Sequence, residues 1–290
     1  MKVAGFSFIR NAIQFDFPIV EAITSILPIC DEFVIAVGKS EDDTLNLIKS
    51  IASDKIKIIE TVWDENMREG GRVLAIETDK ALSAISQDVD WAFYVQGDEV
   101  IHEQYLPTIK AAMEKYVSDN QIDGLLFNYL HFYGHYKYVG DSLRWYQREI
   151  RVVRPHRGVY SFRDAQGFRK GDNQKLNVKA IEAYVYHYGW VKNPVKQKAK
   201  RQHFERWWHP DDWIKNFFDD KNSFDYTDID ALRIFEGTHP QVMLPRIAQA
   251  DWDFDYSPEN NKISFKEKIK RGIRKLTGWR FGEYKNFKIK

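Results

Sequence analysis

Two carboxylates, Asp98 and Glu99, follow the apolar run 91–95, with only Gln96 and Gly97 between. A small residue beside an acid at the end of a buried strand lets a carboxylate meet a hydrated cation that bridges two phosphates. Two further apolar runs also end in polar clusters. Val3–Ile9 leads into Arg10-Asn11, and 33–37 into Gly38-Lys39-Ser40-Glu41-Asp42-Asp43-Thr44. Ligands of an open parallel sheet collect at the carboxyl ends of its strands, so three such ends point to one ligand site, with Asp98 the best placed to meet a cation.

The elements that must hold these residues read as alternating strands and helices. Short segments rich in β-branched and aromatic residues at 3–9, 33–37, 55–59, 91–95 and 124–130 predict buried strands. Helical spacing appears in Ile19, Ala22, Ile23 and Ile26, and again in Leu106, Ile109, Met113, Tyr116 and Val117. Pro18 suits a first turn and Pro28 a stop. Further helices are expected from Leu45 and from near Val73. The pattern predicts an α/β fold with a mostly parallel sheet flanked by helices. After about residue 131 the regularity fades and aromatics become dense, with a strand-like run at 184–190 and helical texture at 194–208 and Asp211–Phe218.

Together, Ser7-Phe8-Ile9-Arg10-Asn11, the 33–44 segment and Trp91 to Glu99 resemble the family-2 glycosyltransferases of the GT-A fold. That family runs strand, Arg-Asn, helix, strand, an Asp-containing turn and later a DxD-type acid motif, in this order and spacing. The resemblance covers about residues 1–130 and extends more weakly to about 208. It implies one GT-A-like domain over 1–258, with a nucleotide-binding half (1–130) and an acceptor-side half (131–258). It also implies an inverting transfer of a sugar from a nucleoside-diphosphate donor to a hydroxyl of a glycan or lipid-linked acceptor, in cell-surface glycan or polysaccharide synthesis. The expected cofactor is Mg²⁺ or Mn²⁺ on Asp98 and Glu99, with Arg10, Asn11, Arg72 and Gln96 at the nucleotide. Arg72 closes the loop Arg68-Glu69-Gly70-Gly71-Arg72, whose glycines allow close approach to a phosphate that a guanidinium can pair.

The C-terminal half resembles the family in an Arg-rich strand (151–154), a carboxylate-bearing loop (161–169) and a His-aromatic strand (184–190). Inversion needs a carboxylate to take the acceptor's proton, and Asp164 is the candidate base. His187 is the candidate imidazole for the metal or a diphosphate oxygen. Two positions depart from the family: Val37 stands where an Asp commonly holds uracil, and Gln96 where the first acid of DxD stands. They motivate the alternative of a non-catalytic nucleotide-sugar or glycan-binding protein.

Each residue also has a structural alternative. Asp98 could cap a helix over 101–117, Asp164 could pair with Arg163 or Arg169, Arg72 could sit on a surface turn, and His187 could be a hydrogen-bonded core histidine. His131 and His135 are four apart, a zinc spacing on a helix, but Gly134 and the neighbouring aromatics favour strand or loop. The indoles of Trp207, Trp208 and Trp213 are expected to pack a helix against the sheet.

Composition narrows the class of protein. With 43% hydrophobic residues the chain can bury a sizeable core, and the net charge of +1 gives no reason to expect a nucleic-acid partner. The single cysteine, Cys30, the lack of a signal-peptide core and the lack of a long apolar run lead to an expectation of a cytoplasmic protein. Residues 259–290 hold eleven Lys or Arg against three Glu. Phe265, Ile269, Ile273, Leu276 and Trp279 or Arg280 fall on one helical stripe among the cations. This basic amphipathic tail is expected to touch the inner face of an anionic membrane reversibly.

Overall fold

The computed structural model describes residues 1–218, 222–277 and 285–290, so Trp279 and Arg280 lie outside the described residues. Four parallel strands open the chain: β1 (Val3–Ile9), β2 (Glu32–Gly38), β3 (Ile56–Thr61) and β4 (Trp91–Tyr94), in the order β3-β2-β1-β4. Alternation along them sorts side chains to two faces. Val3, Phe33, Ile35 and Phe93 pack with helix α1 (Ile19–Ile26). Ala4, Phe6, Val34 and Ala36 face the other way; between β2 and β4 lie α2 (Thr44–Lys49) and α3 (Arg72–Ser83), and α3 covers this second face. The mixed α/β architecture read from the sequence is present.

Past β4 the sheet becomes mixed. After β5 (Glu99–Ile101) and α4 (Leu106–Tyr116) come β6 (Gly124–Tyr133), β7 (His135–Gly140) and β8 (Arg148–Val153). β8 lies antiparallel between β4 and β6. The hairpin of β9 (Val159–Phe162) and β10 (Gly167–Lys170) leads into the 17-residue β11 (Gln174–Trp190), which runs parallel to β6. Helices α5 (Pro194–Glu205) and α6 (Asp211–Phe218), strand β12 (Leu232–Ile234) and helix α7 (Leu244–Ala248) follow.

Two expectations are corrected. No helix spans 101–117: residues 99–101 form β5, and Pro107 in the first turn of α4, after the His102 cap on the Gln104 amide, starts that helix later. Asp98 therefore caps nothing and instead precedes a strand. The tail also does not separate cleanly at 259. It forms α8 (Phe265–Thr277), but β13 (Phe287–Ile289) returns to the sheet parallel to β11.

Candidate active site

A cleft of about 710 Å³ opens at the carboxyl ends of β1 and β4, where Ile9, Arg10, Gln96 and Asp98 line it. The three-residue β5 sets its chemistry. It pairs antiparallel with β11, with Glu99 opposite His187, and the Tyr188 amide donates to the Asp98 carbonyl at 2.8 Å. Asp98 and His187 are thereby neighbours, with Oδ1 3.8 Å from Nε2. Lys200 of α5 donates its Nζ to Asp98 Oδ2 at 2.9 Å and to the Gly189 carbonyl at 3.0 Å. A Cβ at Gly189 would lie 2.7 Å from Asp98 Oδ2 and 2.8 Å from His187 Nε2, so only glycine fits. Burial pushes the Asp98 carboxyl up, but the charge and hydrogen bond of Lys200 reverse this and hold it well below the usual range.

Behind His187 stands His131. The Tyr146 carbonyl, an acceptor only, lies 2.7 Å from His131 Nε2, so that nitrogen carries the proton. Burial, with His187 adding to it, keeps His131 neutral, and its Nδ1 is a lone pair. His187 Nδ1, 3.2 Å away, must then be the donor. Burial lowers the His187 pKa too, against the pull of Asp98. The His187 Nε2 lone pair is left beside Asp98 Oδ1, a carboxylate oxygen and an imidazole nitrogen side by side.

Glu99 is not in the cleft. Both its oxygens are taken by Arg151, Nε at 2.8 Å and Nη2 at 2.7 Å, and by the Tyr129 hydroxyl at 2.7 Å, all fully or nearly fully buried. Residues 98 and 99 point to opposite faces, as successive residues beside a strand must. Arg151 lies between the rings of Tyr94 and Tyr129 and donates to the Gln166 carbonyl at 2.9 Å. The pair thus joins the Asp98 turn to the β9–β10 turn.

Asp164 lines the cleft from that second turn. Arg163 and Ala165 on either side have φ of 58° and 63°, a left-handed conformation that costs non-glycine residues energy and marks a shaped loop. Gln96 Nε2 donates to the Ala165 carbonyl at 3.1 Å, so Gln96 lines the cleft and also fixes the turn that carries Asp164. Arg169 is not its ion-pair partner, since that guanidinium donates to the Asn286 carbonyl at 2.7 Å. Burial raises the Asp164 pKa, opposed by backbone amides and the Arg163 charge.

The remaining expected residues divide. Arg10 lines the cleft, paired with Glu65 and 5.6 Å over the Trp63 ring. Asn11 is buried at φ 54° and its Oδ1 accepts from the Glu41 amide at 2.8 Å, so it braces the loops instead of facing the cleft. Arg72 is exposed at the start of α3 and does not line the cleft. His131 and His135 lie on successive strands, not on one helix face. Trp207 packs in the core as expected, whereas Trp208 is 40% exposed and lines the cleft, and Trp213 stacks on His209 with centroids 3.8 Å apart.

Sequence reasoning missed Lys200, Gly189 and a second lysine, and weighed His131 only as half of a zinc spacing with His135. Lys192 is buried over the Phe17 ring at 5.1 Å, and burial with the nearby Lys200 lowers its pKa to about 7. A lysine on an ordinary polar helix such as α5 gives no local signal that it turns inward.

Among the described residues no group of three or more His, Cys, Asp or Glu could hold a metal, so Asp98 and His187 stand as a two-donor set. The chain matches no family model and no curated protein sequence. It is similar to the crystal structure of S. aureus TarS at 15% identity and TM-score 0.42, over 70% of this chain and 39% of that one. A second similarity is to TarS 1-349 in complex with UDP-GlcNAc, at 15% identity and TM-score 0.40, over 71% and 66% of the two chains. A third is to glucosyl-3-phosphoglycerate synthase from Mycobacterium tuberculosis with Mn²⁺, UDP and phosphoglyceric acid, at 20% identity and TM-score 0.30, over 45% and 43%. This chain thus spans about two fifths of the first of these TarS chains. Likeness at this level assigns neither family nor activity.

Proposed function

We propose that this chain is an inverting glycosyltransferase that moves a sugar from a nucleoside-diphosphate donor to a hydroxyl of a glycan or lipid-linked acceptor. The observation that carries this reading is the convergence of Asp98, His187, Lys200 and Asp164 on one cleft at the carboxyl ends of β1 and β4. In the reaction the acceptor oxygen bonds to the anomeric carbon while the bond from that carbon to the diphosphate oxygen breaks, and the diphosphate leaves with the electron pair. Asp164 takes the acceptor's proton, and its raised pKa suits that task. Lys200 and Arg10 neutralise charge on the departing diphosphate. Trp63, Trp190 and Trp208 offer aromatic surface for sugar or base faces.

A divalent cation fits the donor set. Asp98 Oδ1 is not engaged by Lys200, and the hydrogen-bond chain from Tyr146 aims the His187 Nε2 lone pair to its side. Asp98 and His187 would hold Mg²⁺ or Mn²⁺, which supplies positive charge to the diphosphate, whose oxygens and water would complete the shell. The reading extends to cell-surface glycan or polysaccharide synthesis in the cytoplasm, with α8 touching the membrane's inner face. Among the described residues no helix is long and apolar enough to cross a membrane.

The test is a panel of nucleoside-diphosphate sugars incubated with and without Mn²⁺, with released diphosphate measured. Release from one donor in the intact protein, and its loss with metal-dependent binding in Asp98→Ala, is expected. A folded protein that binds a donor but never releases diphosphate, with any acceptor offered, is a binding protein instead.

A further inference from the structure

A second cavity, of about 240 Å³, lies away from the cleft between α8, β12 and the loop after β7. Its volume is several times the ~30 Å³ share of one water, enough for an oxyanion with a small substituent. Three guanidiniums line it: Arg233 from β12, and Arg271 and Arg274 from α8. Arg271 is already neutralised, its Nη1 2.8 Å from Asp141 Oδ2 and its Nη2 2.9 Å from Glu267 Oε1. Arg233 and Arg274 differ. Among the described residues neither guanidinium has a hydrogen bond or an ion pair, so two positive charges converge on the cavity uncompensated.

Ser142 supplies the second, independent observation. It lines the same cavity, is 4% exposed, and its Oγ has no hydrogen-bond partner among the described residues. A buried hydroxyl without a partner is destabilising, and an acceptor oxygen in the cavity would satisfy it. Among the described residues Asp141 is the one carboxylate lining the cavity, and its pairing with Arg271 blunts its repulsion of an anion.

We propose that this cavity is a binding site for a soluble phosphate-type oxyanion, held by Arg233, Arg274 and Ser142. Two guanidiniums and a hydroxyl match the several acceptor oxygens of a phosphate or sulfate group. The ligand enters from the aqueous side. Phe265, Ile269 and Leu276, the exposed apolar residues of α8, fall on the helix face opposite Glu267, Arg271 and Arg274, so a membrane lying on them would be across the helix from the cavity. The site stands independently of glycosyl transfer.

The experiment is calorimetric titration of the full chain with inorganic phosphate, and separately with sulfate, at fixed ionic strength. One anion per chain is expected. Binding weakens at least tenfold in Arg233→Gln/Arg274→Gln and several-fold in Ser142→Ala, and is unchanged in Lys200→Ala, which removes a cation from the cleft. Because neither guanidinium has a partner among the described residues, the double variant should melt with the wild type when no anion is added; if it does not fold, Ser142→Ala carries the test. Absence of anion binding, binding unchanged in these variants, or binding lost in Lys200→Ala would overturn the site. Phosphatidylglycerol vesicles separate the sources: the double variant should bind them as the wild type does. Loss of vesicle binding in that variant, with no response to inorganic phosphate, assigns the cavity to a lipid headgroup and overturns the soluble ligand.

Discussion

Asp164 stands in a turn between two residues of positive φ, held by Gln96 and lined up on the cleft. Asp164→Asn keeps this shape and removes the basicity, so turnover should fall by ~10²-fold or more with donor affinity unchanged. The pH profile carries a second signature. A base works when deprotonated, so kcat/KM should fall as pH drops, with a midpoint above the ordinary carboxylate value because burial raises the Asp164 pKa. A limb at the unperturbed value, or normal turnover in the Asn variant, moves the role elsewhere. His131 acts one step back. His131→Phe removes the acceptor for His187 Nδ1, frees the ring to take the other tautomer, and should weaken Mn²⁺ binding by ~10–100-fold. Mn²⁺ affinity unchanged in a direct titration would leave His131 as packing alone.

Among the elements, β5 decides most with three residues. Its partner strand is far away in sequence, which explains what could and could not be read. The ends of β1, β2 and β4 were legible because fully buried strands are apolar and stop at polar residues. The meeting of Asp98 with His187 was expected only through the resemblance, which set both at the metal, since nothing local announces a pairing across so long a gap. Glu99 was expected at the metal beside Asp98, although alternation along a strand sets neighbours on opposite faces. Read as a metal ligand, it is instead the buried partner of Arg151. Glu99→Ala leaves that guanidinium uncompensated in the core, and should cost about 3–5 kcal/mol in urea unfolding. A loss under about 1 kcal/mol would mean that water reaches Arg151 in the variant.

At the scale of the whole molecule, α8 docks inside out. Its polar side holds the body, Glu267 accepting from the Leu143 amide at 3.1 Å, while Phe265 is 77% and Leu276 87% exposed. A helix packed only for stability buries the reverse face. The proposed membrane contact therefore predicts that the intact protein sediments with anionic vesicles at low salt. Phe265→Ser/Ile269→Ser/Leu276→Ser should sediment far less, and physiological salt should weaken the wild type, with each nearby cation contributing ~1 kcal/mol. Intact protein that stays in the supernatant at low salt ends that reading. Substitution is the cleaner test, because truncation would also remove β13 from the sheet. The β5–β11 pairing has a further consequence, for synthesis on the ribosome. Asp98 emerges roughly 90 residues before His187 and still longer before Lys200, on the order of 5–20 s at bacterial or slower elongation rates. Throughout that interval the nascent chain holds an acid with neither its imidazole nor its ammonium, so the charge arrangement of the cleft arrives late and all at once. A fragment ending near residue 130 would carry the strand ends that open the cleft without His187 and Lys200, which complete it.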